Sequence, residues 1–305
     1  MPSPLSRSAW KIFLLLDRIG VHILPKHYYT PIPDYHWLRQ HREAWMGRAA
    51  LTGVGWDLDQ QVDWLAQVCH PYYHEVAGLD WYNRASGQTL GPGFGAVEAQ
   101  VLHCFIRSQT PPRIVEIGSG VSTMCMLNAL GINQQENRSP SEVVCVEPYP
   151  SEALRKNRNI TLIEQPCQTV PSTVFAQLRA GDLLFIDSSH ALKLGSDVVR
   201  IYMDIIPNLS AGVFIHIHDI FLPYLYPRAA MSYPFGSQET ALLLALLTNN
   251  EHLSVLASLS ALHYDRTQEL ARIASDYRPQ ANFEGLAVDF PGKGHFPNSL
   301  WLRTA

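Results

Sequence analysis

Residues 113–123 read RIVEIGSGVST, a short apolar run followed by a glycine-rich loop and the start of a helical pattern. Valine and isoleucine favour a strand in this run, and Gly118 and Gly120 allow the backbone to turn sharply where it ends. Four more apolar runs follow, separated by segments of helical length: EVVCVEP (142–148), ITLIEQP (160–166), DLLFIDSS (182–189) and GVFIHIHD (212–219). Nearly continuous apolar runs suit strands that are buried on both faces. The pattern predicts an α/β fold with a parallel, doubly wound sheet over about 113–219.

The rest of the chain is predicted to add a cap before this sheet and two strands after it. Residues 1–95 carry helical patterning, a proline-rich break and six of the seven tryptophans. They predict a helical cap or dimerisation segment ahead of a domain over residues 96–305, which should open with a helix over 96–108. The runs HLSVLASL (252–259) and SLWLRT (299–304) predict two late strands after a helix over 237–250, and the roughly forty residues between them indicate an insertion.

Composition restricts the kind of partner. Charged residues make up 16% of the chain and hydrophobic residues 47%, which is typical of a globular protein rather than a disordered one. A net charge of −4, without a lysine and arginine cluster, argues against nucleic acid and favours a small-molecule partner. The five cysteines are scattered without a Cys-x-x-Cys pair, which favours free thiols in a reducing cytoplasm.

An apolar stretch near the N-terminus, AWKIFLLLDRIGVHIL (9–24), is the candidate for a membrane contact. Asp17 and Arg18 interrupt it, and it is too short to span a bilayer, so no stable membrane insertion is expected. Packing of this helix on the domain, or on a second subunit to form a homodimer, is favoured over contact with a membrane surface.

The loop after the first strand is placed to hold a ligand, because ligands in open parallel sheets bind beyond the carboxyl ends of the strands. Gly118 and Gly120 let the backbone approach that ligand closely, and Ser122 or Thr123 can hydrogen-bond it or cap the next helix. The dinucleotide fingerprint requires a third glycine where Thr123 stands. That residue argues against a pyrophosphate ligand, and so against a nicotinamide-dependent oxidoreductase.

Two acids at strand ends narrow the ligand further. Glu116 lies inside the first strand, where a carboxylate would repel phosphate but suits a ligand with an ammonium group. Glu147 closes the second strand, where an acid can accept hydrogen bonds from ribose hydroxyls. S-Adenosylmethionine (SAM) carries an ammonium group, a sulfonium group and a ribose. Glu116, Gly118, Gly120, Ser122 and Glu147 are therefore predicted to bind SAM.

Three stretches resemble a known family: EIGSGVST (116–123), FIDSSH (185–190) and HIHDIFLPYLYP (216–227). Over about residues 94–260 the chain resembles a class I SAM-dependent methyltransferase of the Methyltransf_24 group, and it is similar to metal-dependent O-methyltransferases of sugars and other small molecules. The resemblance implies a Rossmann-like, seven-stranded, mainly parallel sheet whose last strand is antiparallel. It also implies methyl transfer from SAM to an oxygen, in a hydroxyl or carboxyl group, of a small molecule such as a natural-product intermediate.

The same resemblance implies roles on the other side of the predicted cleft. In similar metal-dependent enzymes, an acid after the fourth strand and an acidic pair after the fifth hold magnesium, and a histidine three residues after the first acid is the base. By this comparison His190 and Asp187 are catalytic residues, and Asp187, His218 and Asp219 are metal ligands. His218 stands where an acid is expected, and imidazole suits zinc, iron or manganese better than magnesium. The sequence leaves open which of these four metals binds, and whether any does.

Several alternatives stay open. His216 is either an interior residue or a further ligand, and Glu239, at the start of a predicted helix, can reach the cleft. Two histidines and a carboxylate also form the metal site of mononuclear non-haem iron oxygenases. An oxygenase function would not explain the glycine loop or Glu147. The remaining alternative is a SAM-fold module that binds a ligand or a partner without catalysis.

Overall fold

The computed structural model describes residues 4–24, 26, 29–30, 32–87, 93–226, 230–231, 237–280 and 294–305. The chain forms two compact units, residues 1–45 and residues 46–305. The helical segment over 46–95 therefore belongs to the same compact unit as the sheet, whereas the sequence predicts a division after residue 95. That division remains a prediction about how the sequence is organised.

The first unit is helical and leaves apolar side chains exposed. It contains α1 (Pro4–Asp17), α2 (Tyr35–Gln40) and a 3-10 turn (Arg42–Ala44). Ile19 and Ile23, just after α1, are 72% and 68% exposed, so this segment has apolar surface to offer to a partner. Among the helices that the structure describes, none is long and apolar enough to cross a bilayer.

Seven strands form one sheet in the second unit. In chain order they are β1 (Arg113–Ile117), β2 (Glu142–Val146), β3 (Thr161–Ile163), β4 (Leu183–Ile186), β5 (Phe214–Ile217), β6 (Leu253–Ser258) and β7 (Leu300–Thr304). Their order across the sheet is β3-β2-β1-β4-β5-β7-β6. The first five strands are parallel, and β7 runs antiparallel between β5 and β6. The sheet confirms the predicted doubly wound α/β fold and the antiparallel last strand that the resemblance implied.

Helices pack on both faces of this sheet. In chain order they are α3 (Leu58–Cys69), α4 (Asp80–Gly87), α5 (Ala96–Gln109), α6 (Val121–Gln135), α7 (Glu152–Lys156), α8 (Ser172–Phe175), α9 (Asp197–Arg200), α10 (Glu239–Leu247), α11 (Leu259–Asp265) and α12 (Thr267–Ile273). The helix predicted over 96–108 is confirmed as α5, and α10 lies within the helix predicted over 237–250. α11 and α12 occupy part of the long interval between β6 and β7, while residues 281–293 of that interval lie outside the described residues.

The core of the second unit consists of two apolar layers, one on each face of the sheet. The first layer packs strand residues such as Ile114 and Phe185 against α3, α5 and α6. The second packs strand residues such as Val115 and Leu184 against α9 and α10. Successive residues of a strand point to opposite layers, which is why the strand sequences are continuously apolar. All five cysteines lie in the described part of the chain, where they are free, as predicted, and also buried.

His216 on β5 is an interior residue. Its ring stacks on Phe185 at a centroid distance of 4.3 Å and meets the ring of Trp301 at 4.6 Å. The side chain is fully buried, and neither ring nitrogen has a hydrogen-bond partner among the described residues. Burial holds the pKa of His216 well below its usual range, so the ring is neutral. The structure favours the interior alternative, with aromatic packing in place of hydrogen bonds.

Candidate active site

The loop after β1 is pressed against the end of β4. Gly118 has a φ of +80°, a left-handed conformation that glycine adopts without strain. A Cβ atom at this position would lie 1.9 Å from the carbonyl oxygen of Asp187. Gly120, by contrast, has open space where a Cβ atom would stand, and α6 begins directly after it. The first glycine is thus required by packing, while the second faces a cavity.

That cavity has a volume of about 330 Å³ and opens at the carboxyl ends of the central strands. The predicted site residues that line it are Gly118, Gly120, Ser122, Glu147, Asp187, His190 and Asp219. A second cavity, of about 630 Å³, adjoins the first, because Gly118, Glu147, Tyr149 and Asp187 line both. Glu116 and His218 are also predicted site residues, but they are not among the residues that line these two cavities.

Glu147, directly after β2, is held in one orientation by the backbone. Its Oε2 accepts a hydrogen bond from the amide of Ser119 at 3.1 Å, and its Oε1 accepts one from the amide of Tyr149 at 2.7 Å. Each carboxylate oxygen retains capacity for another hydrogen bond. Glu147 therefore presents a fixed pair of acceptors to both cavities.

Glu116 lies behind the loop rather than in the cavity. Its side chain is fully buried, and its two oxygens accept hydrogen bonds from the hydroxyls of Ser122 and Thr123, each at 2.6 Å. The Thr123 hydroxyl in turn accepts the amide hydrogen of Gly120. These bonds tie β1 to the beginning of α6 and keep the loop in shape. Direct binding of SAM by Glu116 remains a prediction, whereas the hydrogen bonds by which Glu116 supports the loop are observed in the structure.

Burial raises the pKa of Glu116 to about 7, even though its hydrogen bonds act in the opposite direction. Between pH 4.5 and 7 the folded protein therefore retains a proton that the unfolded chain has lost, and this group makes the protein less stable as the pH rises. We expect the stability of Glu116→Gln relative to the wild type to increase by about 3 kcal/mol from pH 4 to pH 8. Denaturant unfolding of both proteins across this range measures the difference, and a difference that stays constant with pH would contradict the assignment.

Two histidines and two aspartates meet at the ends of β4 and β5, which are neighbours in the sheet. Nε2 of His190 lies 3.4 Å from Oδ1 of Asp187 and 3.4 Å from Oδ2 of Asp219. Nδ1 of His218 lies 3.2 Å from Oδ1 of Asp187 and 3.8 Å from Oδ1 of Asp219. One ligand atom from each of Asp187, His190 and His218 lies within 4.8 Å of the other two, so these three can share a metal ion. Asp219, predicted as a ligand, adjoins this group without belonging to it.

Glu239, the first residue of α10, is the partner of His190 that the sequence does not identify. Its side chain is fully buried, and its Oε2 lies 2.7 Å from Nδ1 of His190 and accepts a hydrogen bond from the hydroxyl of Ser188 at 3.0 Å. With Nδ1 bound in this way, Nε2 of His190 faces Asp187 and the cavity. The sequence indicates Glu239 only as an acid that can reach the cleft, because a pairing across 49 residues leaves no signal in residue spacing.

The electrostatics of this group favour positive charge between the acids. Burial alone lowers the pKa of a histidine, but the bonds to Asp187 and Glu239 raise the pKa of His190 to about 11. Burial is likewise outweighed at His218, where Asp219 and Asp187 raise the pKa to about 9. Burial raises the pKa of Asp187, yet the two histidines hold it below its usual range. The carboxylates thus favour positive charge at this place, either on the two histidines or on a metal ion.

The sequence of this region matches a known family. Residues 115–220 match the Methyltransf_24 model, which describes a methyltransferase domain. The matched segment includes the glycine loop, Glu147, the two aspartates, and both His190 and His218. A protein of Archaeoglobus fulgidus that is described as uncharacterized is 29% identical over 182 residues, which are 53% of this chain and 77% of that protein.

Three solved O-methyltransferase structures align with the chain at low identity. TomG from Streptomyces achromogenes, in complex with SAM, is 12% identical with a TM-score of 0.44, over 80% of this chain and 98% of TomG. MycE of the mycinamycin biosynthetic pathway, in complex with Mg and SAH, is 12% identical with a TM-score of 0.38, over 74% and 55% of the two chains. An O-methyltransferase from Bacillus cereus, in complex with SAH, is 15% identical with a TM-score of 0.39, over 77% and 91%. These likenesses assign no role to any residue of this chain.

The family match and the fold agree with each other. The match falls on the strands whose carboxyl ends line the cavity, and the sheet has seven strands with an antiparallel last strand. The matched family gives no support to the iron oxygenase that the two histidines and the carboxylate leave open. Residues 115–220 are therefore similar to a methyltransferase domain and form the part of the sheet that lines the cavity.

Proposed function

We propose that the chain transfers the methyl group of SAM to an oxygen, in a hydroxyl or carboxyl group, of a small-molecule acceptor. The observation that carries this proposal is that one cavity is lined by the glycine loop and Glu147 and also by Asp187, His190 and Asp219. The first set suits the cofactor, and the second suits removal of a proton from the acceptor. Methyl transfer requires the two reactants to be held in line.

The glycine loop fits SAM better than it fits a nucleotide phosphate. The amides of residues 118–120 each donate a hydrogen bond within the protein, to Val146, Glu147 and Thr123. A bound phosphate would need such amides to be free, whereas an ammonium group needs acceptors. We assign the ribose hydroxyls to Glu147, whose carboxylate is fixed and lines the cavity. SAM, when bound, supplies a methyl group that its sulfonium activates.

The acidic side of the cavity is assigned to the acceptor. A hydroxyl becomes a good nucleophile when a neighbouring group takes its proton. Asp219 lines the cavity and is placed to do so, and His190 can do so only in the form that has lost its own proton. Asp187 lies between the glycine loop and both histidines, so it links the two halves of the site. The spacing of Asp187, His190 and His218 also fits a divalent ion, for which magnesium, manganese, iron and zinc are the candidates.

Substitution of Glu147 tests the cofactor half of this proposal. We expect Glu147→Gln to raise the Kd for SAM by about 10- to 100-fold, because hydrogen bonds to a charged group contribute about 1.5–3 kcal/mol. Glu152→Gln is the matched control, since Glu152 is an exposed residue of α7 outside both cavities. Isothermal titration calorimetry measures both variants, and equal affinities for SAM in the two would contradict the assignment of Glu147.

The acceptor half is tested by the products. Mass spectrometry of reactions that contain SAM and a panel of hydroxyl, carboxyl and amine acceptors should find the methyl group on oxygen. A methyl group on nitrogen would overturn the choice of oxygen. Asp187→Ala and His190→Ala separate the enzyme from a SAM-fold module that only binds a ligand, because a binding module would keep its biological effect in both variants.

The setting of the enzyme is also part of the proposal. We infer a cytoplasmic protein whose substrate is a small molecule rather than nucleic acid, in agreement with the net charge of −4 and the five free, buried cysteines. The exposed apolar residues that follow α1, Ile19 and Ile23, support a homodimer formed through the first unit. Light scattering coupled to size-exclusion chromatography tests this, and a monomer at micromolar concentration would contradict it.

A further inference from the structure

We propose that Asp187, His190 and His218 form a site with two histidines and one carboxylate that binds a transition-metal ion, such as zinc or iron(II), in preference to magnesium. The role of the ion rests on the proposed function, since the ion would lie beside the methyl acceptor, but the binding of the ion does not. It departs from the roles that the resemblance implies, in which His190 is a base and acids hold the ion. Three observations support the inference: the distances between the ligand atoms, the groups that hold the ligands in place, and the chemical type of the donor atoms.

The spacing of the ligand atoms is that of a coordination site. A hydrogen bond between charged nitrogen and oxygen atoms is about 2.7–2.9 Å long, as it is between His190 and Glu239 at 2.7 Å. The distances from Oδ1 of Asp187 are longer, 3.4 Å to Nε2 of His190 and 3.2 Å to Nδ1 of His218. Ligand atoms about 2.0–2.1 Å from a tetrahedral zinc ion lie about 3.3–3.4 Å from each other. The two distances from Asp187 are therefore those of neighbouring corners of such a polyhedron, and the three ligand atoms all lie within 4.8 Å of one another.

His190 is supported in the way that metal-binding histidines are supported. A ligating imidazole normally donates its second ring nitrogen to a carboxylate, which orients the ring and makes it a stronger ligand. Nδ1 of His190 makes this bond with Glu239, whose side chain is fully buried and also accepts the hydroxyl hydrogen of Ser188. A buried carboxylate without positive charge nearby would be costly in free energy. The pairing thus leaves Nε2 of His190 as the atom that meets an ion.

The backbone holds the ligands in place. His190 has a φ of +57°, and Asp219, directly after His218, has a φ of +55°. Residues other than glycine rarely adopt this conformation, and it persists where the surrounding structure enforces it, often at functional sites. The ring of His218 packs against Phe94 at a centroid distance of 5.0 Å. The ligand set is therefore arranged before an ion arrives.

The donor atoms decide which metal is preferred. Magnesium favours an octahedral set of oxygen ligands, whereas imidazole suits zinc, iron and nickel. The lone pair on Nε2 of His190 cannot bind an ion and accept a proton at the same time. Asp219 lines the cavity and lies farther from His218 than Asp187 does, 3.8 Å against 3.2 Å, so we assign to it the proton of the acceptor.

X-ray absorption spectroscopy of the full-length protein tests the ligand set. The protein is stripped with a chelator and loaded with one equivalent of zinc, and the spectrum should show two imidazole ligands in the wild type and one in His218→Asp. Calorimetric titrations with zinc and with magnesium should give an affinity ratio that falls at least about tenfold in His218→Asp. His70→Asp makes the same change at an exposed histidine outside the cluster, and should alter neither result.

Glu239→Gln separates a positioning role from a merely structural one. It should lower the zinc affinity by about tenfold while the spectrum retains two imidazole ligands. A wild-type spectrum with fewer than two imidazoles, or the absence of calorimetric binding for zinc, would overturn the inference even if a variant fails to fold. A titration with SAM on the same protein distinguishes the two proposals. Binding of SAM without binding of zinc refutes only the metal site. Binding of zinc without binding of SAM refutes only the proposed function.

Discussion

Replacing Asp187 by asparagine is expected to lower the rate of methyl transfer by about 10³-fold, within the range of 10²–10⁴ that a positioned acid–base group contributes. Asp187 contacts both histidines of the site and lines both cavities. Asparagine keeps its shape but removes the negative charge that attracts a cation and orients His190 and His218. Initial rates with a methyl acceptor, measured at saturating SAM, give the loss directly.

Asp204→Asn is the matched control for this prediction. Asp204 is partly exposed and pairs with Arg200 on the continuation of α9, outside both cavities. Its replacement should leave the rate within about twofold of the wild type, because surface ion pairs contribute little to stability. A rate for Asp187→Asn within tenfold of the wild type would contradict the role of Asp187, provided that the variant melts at the same temperature.

Replacing Gly118 by alanine is expected to lower the free energy of unfolding by about 3 kcal/mol or more and to abolish SAM binding. The new Cβ atom would lie 1.9 Å from the carbonyl oxygen of Asp187, and the φ of +80° would become strained. The loop can relieve the clash only by moving away from β4, which would also displace Ser119 from Glu147. Urea denaturation measures the first effect, and calorimetry with SAM measures the second.

Gly120→Ala provides the comparison within the same loop. Nothing lies within 4 Å of the position where the Cβ atom of Gly120 would stand, so this variant introduces no clash. The ψ of −120° costs alanine about 1 kcal/mol, and the variant should therefore lose clearly less stability than Gly118→Ala. Equal loss of stability in the two variants would show that the contact between Gly118 and Asp187 is not what holds the loop.

The sheet was predictable because its signal lies in short, continuous stretches of sequence. The central strands β1, β2, β4 and β5 are buried after their first residues and are mostly apolar. Glu147 and Asp187 mark where β2 and β4 end. Parallel strands that share an edge bring their carboxyl ends together. For that reason the glycine loop, Glu147, Asp187 and His190 line one cavity, although they are distant in sequence.

Side-chain pairing across the fold was not predictable in the same way. Glu116 has the position of a ligand-binding acid, but the hydroxyls of Ser122 and Thr123 draw its carboxylate into the interior. Glu239 reaches His190 from a helix that begins after β5, and only the packing of α10 brings them together. The helices over 46–95 join the sheet through apolar contacts that no short motif records.

Calorimetric titration of the purified protein with SAM and with SAH tests the central claim most directly. We expect each ligand to bind to one site per chain, with binding weakened in Glu147→Gln but retained in Glu152→Gln. A folded protein that gives no heat of binding with either ligand at concentrations up to about 1 mM, where even a weak site would be filled, would contradict the proposal that this chain binds SAM and transfers its methyl group.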